Sequence, residues 1–343
     1  MLTFSLLPNV NSEIQFLYTA TPKNKITNKY FEDIFPDELI KKSSKMTGVT
    51  ERFWADSKTT TLDICLHAAK QMFKDNSFDK NSIDAVLLVT QTPDYQIPAS
   101  AFIAHKELKL SDNCMAFDIN LGCTGYVYGY YLATSLLNSG LSNILLLAGE
   151  TSSKTVDLQD QGTSMLFGDA GSATLITKGK DKREQVFSFK SNGSGYDTII
   201  IPSGIYKEHK LSKETAQDKL FMSGPDVFNF TIKEIPDFIK NYCDFCSKDL
   251  STWDFVLLHQ ANLFMLNHIY KKTKVDDNQK HINIQKFGNA SSASIPLLIS
   301  DLGNKISSES QVLATGFGVG LSWATCNLIF SKDFKSKHLS CNR

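Results

Sequence analysis

The sequence carries no net charge, because 36 Lys and Arg residues are balanced by 36 Asp and Glu residues. Proteins that bind nucleic acid through a general electrostatic field are strongly basic. The balance therefore argues against a nucleic acid as a partner. A locally basic tail, residues 331–343, is most simply interpreted as a solvated chain end.

The sequence also lacks long apolar runs. A membrane-spanning helix needs about 18 or more uninterrupted apolar residues, and no stretch of this chain approaches that length. The N-terminus, MLTFSLLPNVNSE, has no basic region and only a short apolar run. We therefore expect neither a membrane span nor a signal peptide.

Cysteines are few, odd in number and scattered: Cys65, Cys114, Cys123, Cys243, Cys246, Cys326 and Cys341. A chain of 343 residues is long enough to need no disulfide staples, so this usage indicates a reducing cytoplasm. Residues 243–246 form a CxxC, a spacing that occurs in zinc and redox sites. Since no second CxxC or histidine pair lies nearby, we expect no metal and no cofactor.

Short apolar runs alternate with amphipathic segments. The runs predict buried strands at residues 14–19, 83–90, 114–119 and 143–148. The segments between them predict helices at residues 63–73, 101–108 and 124–139. This alternation predicts an α/β fold with largely parallel strand pairing.

The second half of the chain repeats the pattern of the first. IDAVLLV at 83–89 is similar to WDFVLLH at 253–259, and NILLLAG at 143–149 is similar to QVLATGF at 311–317. Between these pairs, and at nearly the same spacing, Gly122-Cys123 matches Gly288-Asn289. We predict two similar halves, residues 1–180 and 181–343, with the charged segment 178–185 as a boundary or surface hairpin.

Cys123 lies where a predicted strand gives way to a predicted helix. At such a turn the helix dipole and the free amides lower the pKa of a thiol. Its neighbours Gly122, Thr124 and Gly125 are small and leave room for a substrate. Cys123 is thus a candidate nucleophile, although an inert buried cysteine would fit the same position.

Three features of the second half complete a candidate site. His259 follows a buried strand, at the end of the strand where ligands bind in α/β sheets. Asn289 begins a small, polar segment, and GFGVGLSW at 316–323 is a glycine-rich turn that lets backbone amides approach a ligand. Taken singly, they could be a core histidine, a helix cap and a hairpin. With a thiolate they make a set suited to acyl transfer.

These motifs resemble those of the β-ketoacyl-acyl carrier protein synthase III family within the thiolase superfamily. The matching segments are the loop around Cys123, FGDAGSATL at 167–175, HQAN at 259–262, GNASSASIP at 288–296 and GFGVGLSW at 316–323. They occur in family order across nearly the whole chain. The resemblance implies a thiolase-like α/β fold, in which two pseudo-duplicated βαβαβαββ halves form a five-layered αβαβα core.

The resemblance also implies a ping-pong reaction. An acyl group would pass from acyl-coenzyme A (acyl-CoA) or from an acyl carrier protein (acyl-ACP) to Cys123. His259 and Asn289 would then stabilise the enolate formed as malonyl-ACP loses carbon dioxide, and the enolate would attack the acyl-enzyme. The backbone amides of Cys123 and Val319 would form the oxyanion hole. In family terms this is an acyltransferase of the ketosynthase type.

Family alignment further implies a substrate pocket formed by Ile97, Phe317, Gly318 and Gly320. Ile97 aligns with a position that crosses to the partner subunit in family dimers. We therefore expect a homodimer, with the strand at 114–119 and the loop at 93–98 in the interface.

The chain departs from the family at positions that bind coenzyme A. A tryptophan and an arginine that clamp the adenine are replaced by Lys42 and Met46. Two further arginines, one of them part of the carrier-protein docking surface, are replaced by Gln161 and Phe264. Since these side chains cannot stack or pair as arginine does, we expect a divergent member with a specialised fatty-acid, polyketide or secondary-metabolite role.

Two other functions stay open. The Cys123-bound acyl group could pass to an alcohol, an amine or a β-keto acceptor without malonyl decarboxylation, with His259 as general base. A non-catalytic partner subunit is the third hypothesis. It is disfavoured because such subunits typically lack the cysteine that this chain retains.

Overall fold

Strands and helices alternate along the chain, as the sequence predicts, in a computed structural model that describes residues 3–203, 207, 209 and 218–341. The strands are β1 (Thr3–Thr21), β2 (Lys25–Thr27), β3 (Glu51–Phe53), β4 (Ala85–Val89), β5 (Met115–Ile119), β6 (Asn143–Glu150), β7 (Ala170–Ser191), β8 (Ile199–Ile200), β9 (Phe221–Met222), β10 (Phe255–Leu258), β11 (Val312–Gly318), β12 (Ser322–Leu328) and β13 (Phe330–Ser340). The helices are α1 (Asp37–Thr47), α2 (Thr61–Asp75), α3 (Ser100–Leu108), α4 (Gly125–Asn138), α5 (Gln161–Ser164), α6 (Gly224–Phe245), α7 (Leu263–Thr273), α8 (Ile284–Phe287) and α9 (Ser294–Leu302).

The strands of the two halves follow the same order. In the first half the order is β5-β4-β6-β7-β1, with β4 parallel to both β5 and β6. In the second half it is β10-β11-β12-β7, with β10 parallel to β11. The place that corresponds to β5 holds only an isolated bridge between Val256 and Lys280. Equivalent order in both halves is what an internal duplication produces.

Five layers result from this arrangement. Helices α4 and α9 lie in the middle and share one apolar core with strands of both halves. Helices α2 and α3 cover the outer face of the first half, and α6 and α7 cover the outer face of the second. Burial on both faces explains why β4 and β6 read as near-continuous apolar runs.

Most predicted elements agree with the structure, and helix α2 shows why. Thr60 and Asp63 form a capping box at its start, with each side chain accepting a hydrogen bond from the other residue's amide. The prediction of residues 63–73 missed only the ends of this helix. Helix α4 matches the predicted range of 124–139 to within one residue at each end.

Two charged segments are strands, which the sequence did not predict. Residues 178–185 form no surface hairpin but lie inside β7. The pairing of β7 with β1 shifts register here, with Ser12 opposite Lys178, Val10 opposite Arg183 and Leu7 opposite Gln185. The basic tail is not a free chain end, because residues 331–340 lie in β13, whose backbone pairs in parallel with β1. Most side chains of these residues are nevertheless exposed or half-buried. We propose that the two halves meet inside β7, near residue 180.

The two remaining expectations concern membranes and metals. None of the helices within the described ranges is both long enough and apolar enough to cross a membrane. Cys243 is buried in the last turn of α6, and Cys246 follows as its C-cap. Over the same described ranges, no three His, Cys, Asp or Glu side chains are grouped as ligands for a metal ion.

Candidate active site

Cys123 sits in the turn between β5 and α4, pressed against β11. A Cβ atom added to Gly318 would lie 2.8 Å from both the Cβ and the Sγ of Cys123. One added to Gly316 would lie 2.8 Å from the carbonyl oxygen of Cys123. These two positions therefore require glycine, and the glycine-rich turn predicted from the sequence brings β11 backbone to the sulfur.

Two main-chain amides act on this sulfur, those of Val319 and of Cys123 itself. An amide pair at a nucleophile is the arrangement that stabilises an oxyanion formed there. The geometry thus agrees with the oxyanion hole that the family resemblance implies. That role remains a prediction.

The pKa of Cys123 is raised, not lowered as expected from its place at a helix terminus. Burial of the thiol raises its pKa to about 11, and the negative charge of Glu150 adds to this effect. The Ser291 hydroxyl and the Val319 amide act in the opposite direction. Loss of hydration outweighs the helix dipole here, so Cys123 is a neutral thiol at rest.

His259 follows β10 and is 1% exposed. Burial lowers the pKa of His259 to about 3, although the main-chain carbonyl of Ser291 favours its protonated form. The ring packs edge-on against Phe317, with the two centroids 5.6 Å apart. Its Nδ1 atom has no hydrogen-bond partner in the part of the chain that the structure describes. His259 is therefore a neutral imidazole at pH 7.

Asn289 is fixed by hydrogen bonds from both halves. Its main-chain amide donates to the Leu166 carbonyl at 2.9 Å, and its carbonyl accepts from the Gly168 amide at 3.1 Å. Its side-chain amide donates to the Ala261 carbonyl at 3.4 Å. The FGDAG motif at 167–171 thus holds Asn289, while HQAN at 259–262 supplies both His259 and the carbonyl that Asn289 contacts.

Ser291 links the three predicted catalytic residues. Its amide donates to the Asn289 carboxamide oxygen at 2.9 Å, and its hydroxyl lies 3.9 Å from the Cys123 sulfur. Its carbonyl faces His259. Ser291 was not among the predicted site residues; its signal in the sequence is its place two residues after Asn289 in the GNASSAS segment.

Cys123, His259 and Asn289 line one cavity of about 780 Å³. Phe317, Gly318 and Val319 line it too, as predicted for the first two from the resemblance. Most of the wall is apolar, with Ile199, Met222, Val227, Phe228 and Met265 among the lining residues. The cavity can hold an extended, largely apolar group that ends at the Cys123 sulfur.

Two predicted pocket residues lie elsewhere. Gly320 is absent from the cavity wall, because the chain turns away after Val319 with a φ of 126° at Gly320 and enters β12. Ile97 does not line the cavity of its own chain and is 81% exposed. Its expected contact with a partner subunit stays a prediction.

The mouth of the cavity is apolar where the family carries cations. Met46 and Phe264 both line it, and they are 52% and 55% exposed. Phe264 also packs against Phe228, with ring centroids 5.6 Å apart. Gln161 donates one N–H of its side-chain amide to the Leu39 carbonyl at 2.6 Å.

The chain is similar to known proteins over nearly its whole length. Residues 117–195 match the family model for 3-oxoacyl-[acyl-carrier-protein (ACP)] synthase III, and residues 245–329 match its C-terminal counterpart. A putative 3-oxoacyl-[acyl-carrier-protein] synthase 3 of Campylobacter jejuni is 33% identical, with 96% of each chain covered. A β-ketoacyl-[acyl-carrier-protein] synthase III of Clostridium tetani is 31% identical over 92% of this chain and 97% of its own.

The fold has equally similar relatives among solved structures. The crystal structure of a 3-oxoacyl-(acyl-carrier protein) synthase from Burkholderia xenovorans superposes with a TM-score of 0.95 at 35% identity. The match covers 98% of this chain and 99% of that one. The predicted thiolase-like α/β fold is confirmed.

Proposed function

Since the chain belongs to the 3-oxoacyl-[acyl-carrier-protein] synthase III family of condensing acyltransferases, we propose that it joins an acyl group to a malonyl unit. The acyl group comes from acyl-CoA or acyl-ACP, and the malonyl unit comes from malonyl-ACP. The product is a β-ketoacyl thioester. The single observation that carries this proposal is that Cys123, His259 and Asn289 line one cavity and that Ser291 contacts all three.

In the first step, the Cys123 sulfur attacks the thioester carbonyl. The amides of Cys123 and Val319 stabilise the tetrahedral oxyanion. As the carbon–sulfur bond of the donor breaks, its thiolate leaves and the thiol proton of Cys123 balances the charge. Because burial raises the pKa of Cys123 to about 11, the thiol keeps its proton until the attack, and that proton then passes to the leaving thiolate of the donor.

In the second step, malonyl-ACP loses carbon dioxide and its thioester oxygen becomes an enolate. His259 and Asn289 donate hydrogen bonds to this oxygen. A pKa of about 3 keeps the imidazole neutral, so His259 stabilises the charge without first holding an extra proton. The enolate carbon then attacks the acyl-enzyme, and the Cys123 thiolate leaves and takes up a proton from solvent.

The apolar mouth supports a specialised donor. Met46 and Phe264 cannot pair with the phosphates of coenzyme A, and Gln161 is uncharged and already donates one N–H of its side-chain amide to a main-chain carbonyl. The same observation favours a second candidate function, transfer of the acyl group to an alcohol, amine or β-keto acceptor. A non-catalytic role fits poorly with a complete set of Cys123, His259 and Asn289 in one cavity.

Intact-protein mass spectrometry tests the donor assignment. Wild type and Cys123→Ala are incubated with acyl-CoA and acyl-ACP donors that carry the same acyl group. We expect an acyl adduct on the wild type alone, with faster loading from acyl-ACP. Absence of any Cys123-dependent adduct across a series of chain lengths would contradict the proposal.

A further inference from the structure

Glu150 is a buried acid with no part in the mechanism above. It is the last residue of β6, is 2% exposed and lines the same cavity as Cys123. Three neutral groups hold its carboxylate: the Thr90 hydroxyl at 3.2 Å, the Gln91 amide at 3.0 Å and the Thr92 hydroxyl at 2.7 Å. A carboxylate that is buried among neutral donors is costly to keep charged, which sets it apart from an ordinary core residue.

The hydroxyl groups around Glu150 connect three elements. The Thr92 hydroxyl oxygen lies 2.7 Å from that of Thr61, at the start of α2, and accepts from the Thr151 amide at 3.0 Å. Thr61 and Thr151 also contact each other through their hydroxyls at 3.0 Å. Glu150 therefore fixes the segment that follows β4 relative to β6 and α2.

That segment abuts the nucleophile loop. A Cβ atom added to Gly122 would collide with the side-chain oxygen of Gln91 and would lie 3.0 Å from the Ser291 hydroxyl. Gln91 is the residue whose amide Glu150 accepts from, and Gly122 precedes Cys123. The chain of contacts thus runs from the carboxylate through Gln91 to the loop that carries the sulfur.

Charge provides a second connection. Burial raises the pKa of Glu150 to about 7, with a smaller contribution from Asp169, which directly precedes β7. The carboxylate in turn raises the pKa of Cys123 and that of the buried Cys65 on α2. Asp94 also acts on Cys65 from the loop after β4. Deprotonation of Glu150 above pH 7 therefore disfavours the Cys123 thiolate, and protonation below pH 7 favours it.

We propose that Glu150 is a positioning residue for Cys123, which holds the Thr90–Thr92 segment against the nucleophile loop and tunes the reactivity of the sulfur through its own charge. This inference rests on the proposed role of Cys123 as nucleophile. It assigns the carboxylate no contact with the substrate.

The test is the rate of alkylation of Cys123 by iodoacetamide between pH 5.5 and 9, followed by peptide mass spectrometry. No acyl substrate is needed, so failure of the proposed condensation would leave this readout intact. For the wild type, we expect the logarithm of the rate to rise with pH. Near pH 7, deprotonation of Glu150 should shift this line to lower rates, and this downward shift is the offset. Glu150→Gln removes the offset and alkylates about threefold faster above pH 7, a shift of about half a pKa unit.

Three further variants separate tuning from a general loss of structure. Glu150→Asp retains the offset. Thr92→Val removes one donor from the carboxylate and moves the offset to higher pH. Asp169→Asn, the matched control, removes a buried carboxyl that is held by the amides of Ala55 and Ser153. It lowers the melting temperature and keeps the offset, moved slightly to lower pH because the Asp169 charge contributes to the raised pKa of Glu150.

A wild-type profile without an offset would overturn the proposal, and so would an offset that survives in Glu150→Gln. If Glu150→Gln does not fold, the proposal is tested by comparing the pH profile of the wild type with that of Thr92→Val. An offset that fails to move in Thr92→Val then contradicts the proposal.

Discussion

At the scale of single residues, the site depends on Ser291 as much as on the residues that do the chemistry. The side chain of Ser291 faces Cys123, while its main chain holds Asn289 and faces His259. Cys123, His259 and Asn289 could be predicted because their side chains are of types that take part in acyl transfer. Ser291 could not, because two of its three contacts are made by backbone atoms that any residue carries.

Ser291→Ala separates these contacts. It removes the hydroxyl near the sulfur and leaves the main-chain hydrogen bonds in place. We expect acyl loading of Cys123 to slow by about threefold to tenfold, the value of one modest hydrogen bond, with an unchanged rate of discharge by malonyl-ACP. Rapid-quench mass spectrometry measures both rates. Equal loss in both steps would show that the loop itself has moved.

His259 makes the stability of the protein dependent on pH. Its folded-state pKa of about 3 lies below the ordinary value of 6.5. As pH falls through 6.5, the unfolded chain takes up a proton at this residue and the folded chain does not, so stability is lost. His259→Asn, which is neutral in both states, escapes this loss of about 2 kcal/mol at pH 5.

Thermal unfolding of both proteins at pH 7 and pH 5 measures this difference. We expect the melting temperature of the wild type to fall further than that of His259→Asn. Parallel shifts in the two proteins would mean that His259 is protonated in the folded state as easily as in the unfolded one.

At the scale of elements, strand β11 determines whether the nucleophile has room. Gly318→Ala would place a methyl group 2.8 Å from the Cys123 sulfur, at a φ of 155° that side chains rarely adopt. We expect acyl loading to fall by about 100-fold, because small displacements of reacting groups have effects of that size. Gly193→Ala is the control, since nothing lies within 4 Å of its added Cβ.

The two glycine variants are compared by loading rate and melting temperature. Loading at the wild-type rate in Gly318→Ala would show that β11 does not confine the sulfur. A loss in Gly193→Ala as large as that in Gly318→Ala would point to a general effect of the substitution.

Elements were predictable where side-chain pattern determines structure. The run AVLLV in β4 is buried at every position. The capping box of α2 needs only the side chains of Thr60 and Asp63, which are three residues apart in the sequence. Strand β13 and the middle of β7 were not predictable, because their polar sequences are held by main-chain pairing with β1. The raised pKa of Cys123 was missed for a similar reason: its burial depends on residues from both halves.

At the scale of the whole molecule, strand β5 forms an edge of the sheet. Its residues are half-buried or exposed, with Met115 47% exposed. An unpaired strand edge with apolar side chains is a ready surface for pairing with another chain. We therefore retain the prediction of a homodimer, for which light scattering should give twice the 38.3 kDa mass of one chain.

Substitution of Ile97 tests whether each subunit contributes a residue to the cavity of its partner. The residue is 81% exposed and does not line the cavity that holds Cys123 in its own chain, yet the prediction places it in the cavity of a partner. We expect Ile97→Asp to reduce acyl loading at least about tenfold, because a charge would enter an apolar pocket. Leu158→Asp, at another exposed apolar residue, should load normally. Normal loading in Ile97→Asp would contradict the shared site.

Condensation at Cys123 is tested most directly by following how malonyl-ACP removes the acyl group from a pre-loaded enzyme. Acyl-Cys123 enzyme, freed of donor, is mixed with malonyl-ACP, and carbon dioxide, the acyl adduct and the product are followed together. We predict one carbon dioxide and one β-ketoacyl-ACP for each adduct lost, and discharge about 100-fold slower in Asn289→Ala. An adduct that persists with malonyl-ACP but is released by an alcohol, an amine or a β-keto compound would contradict this account.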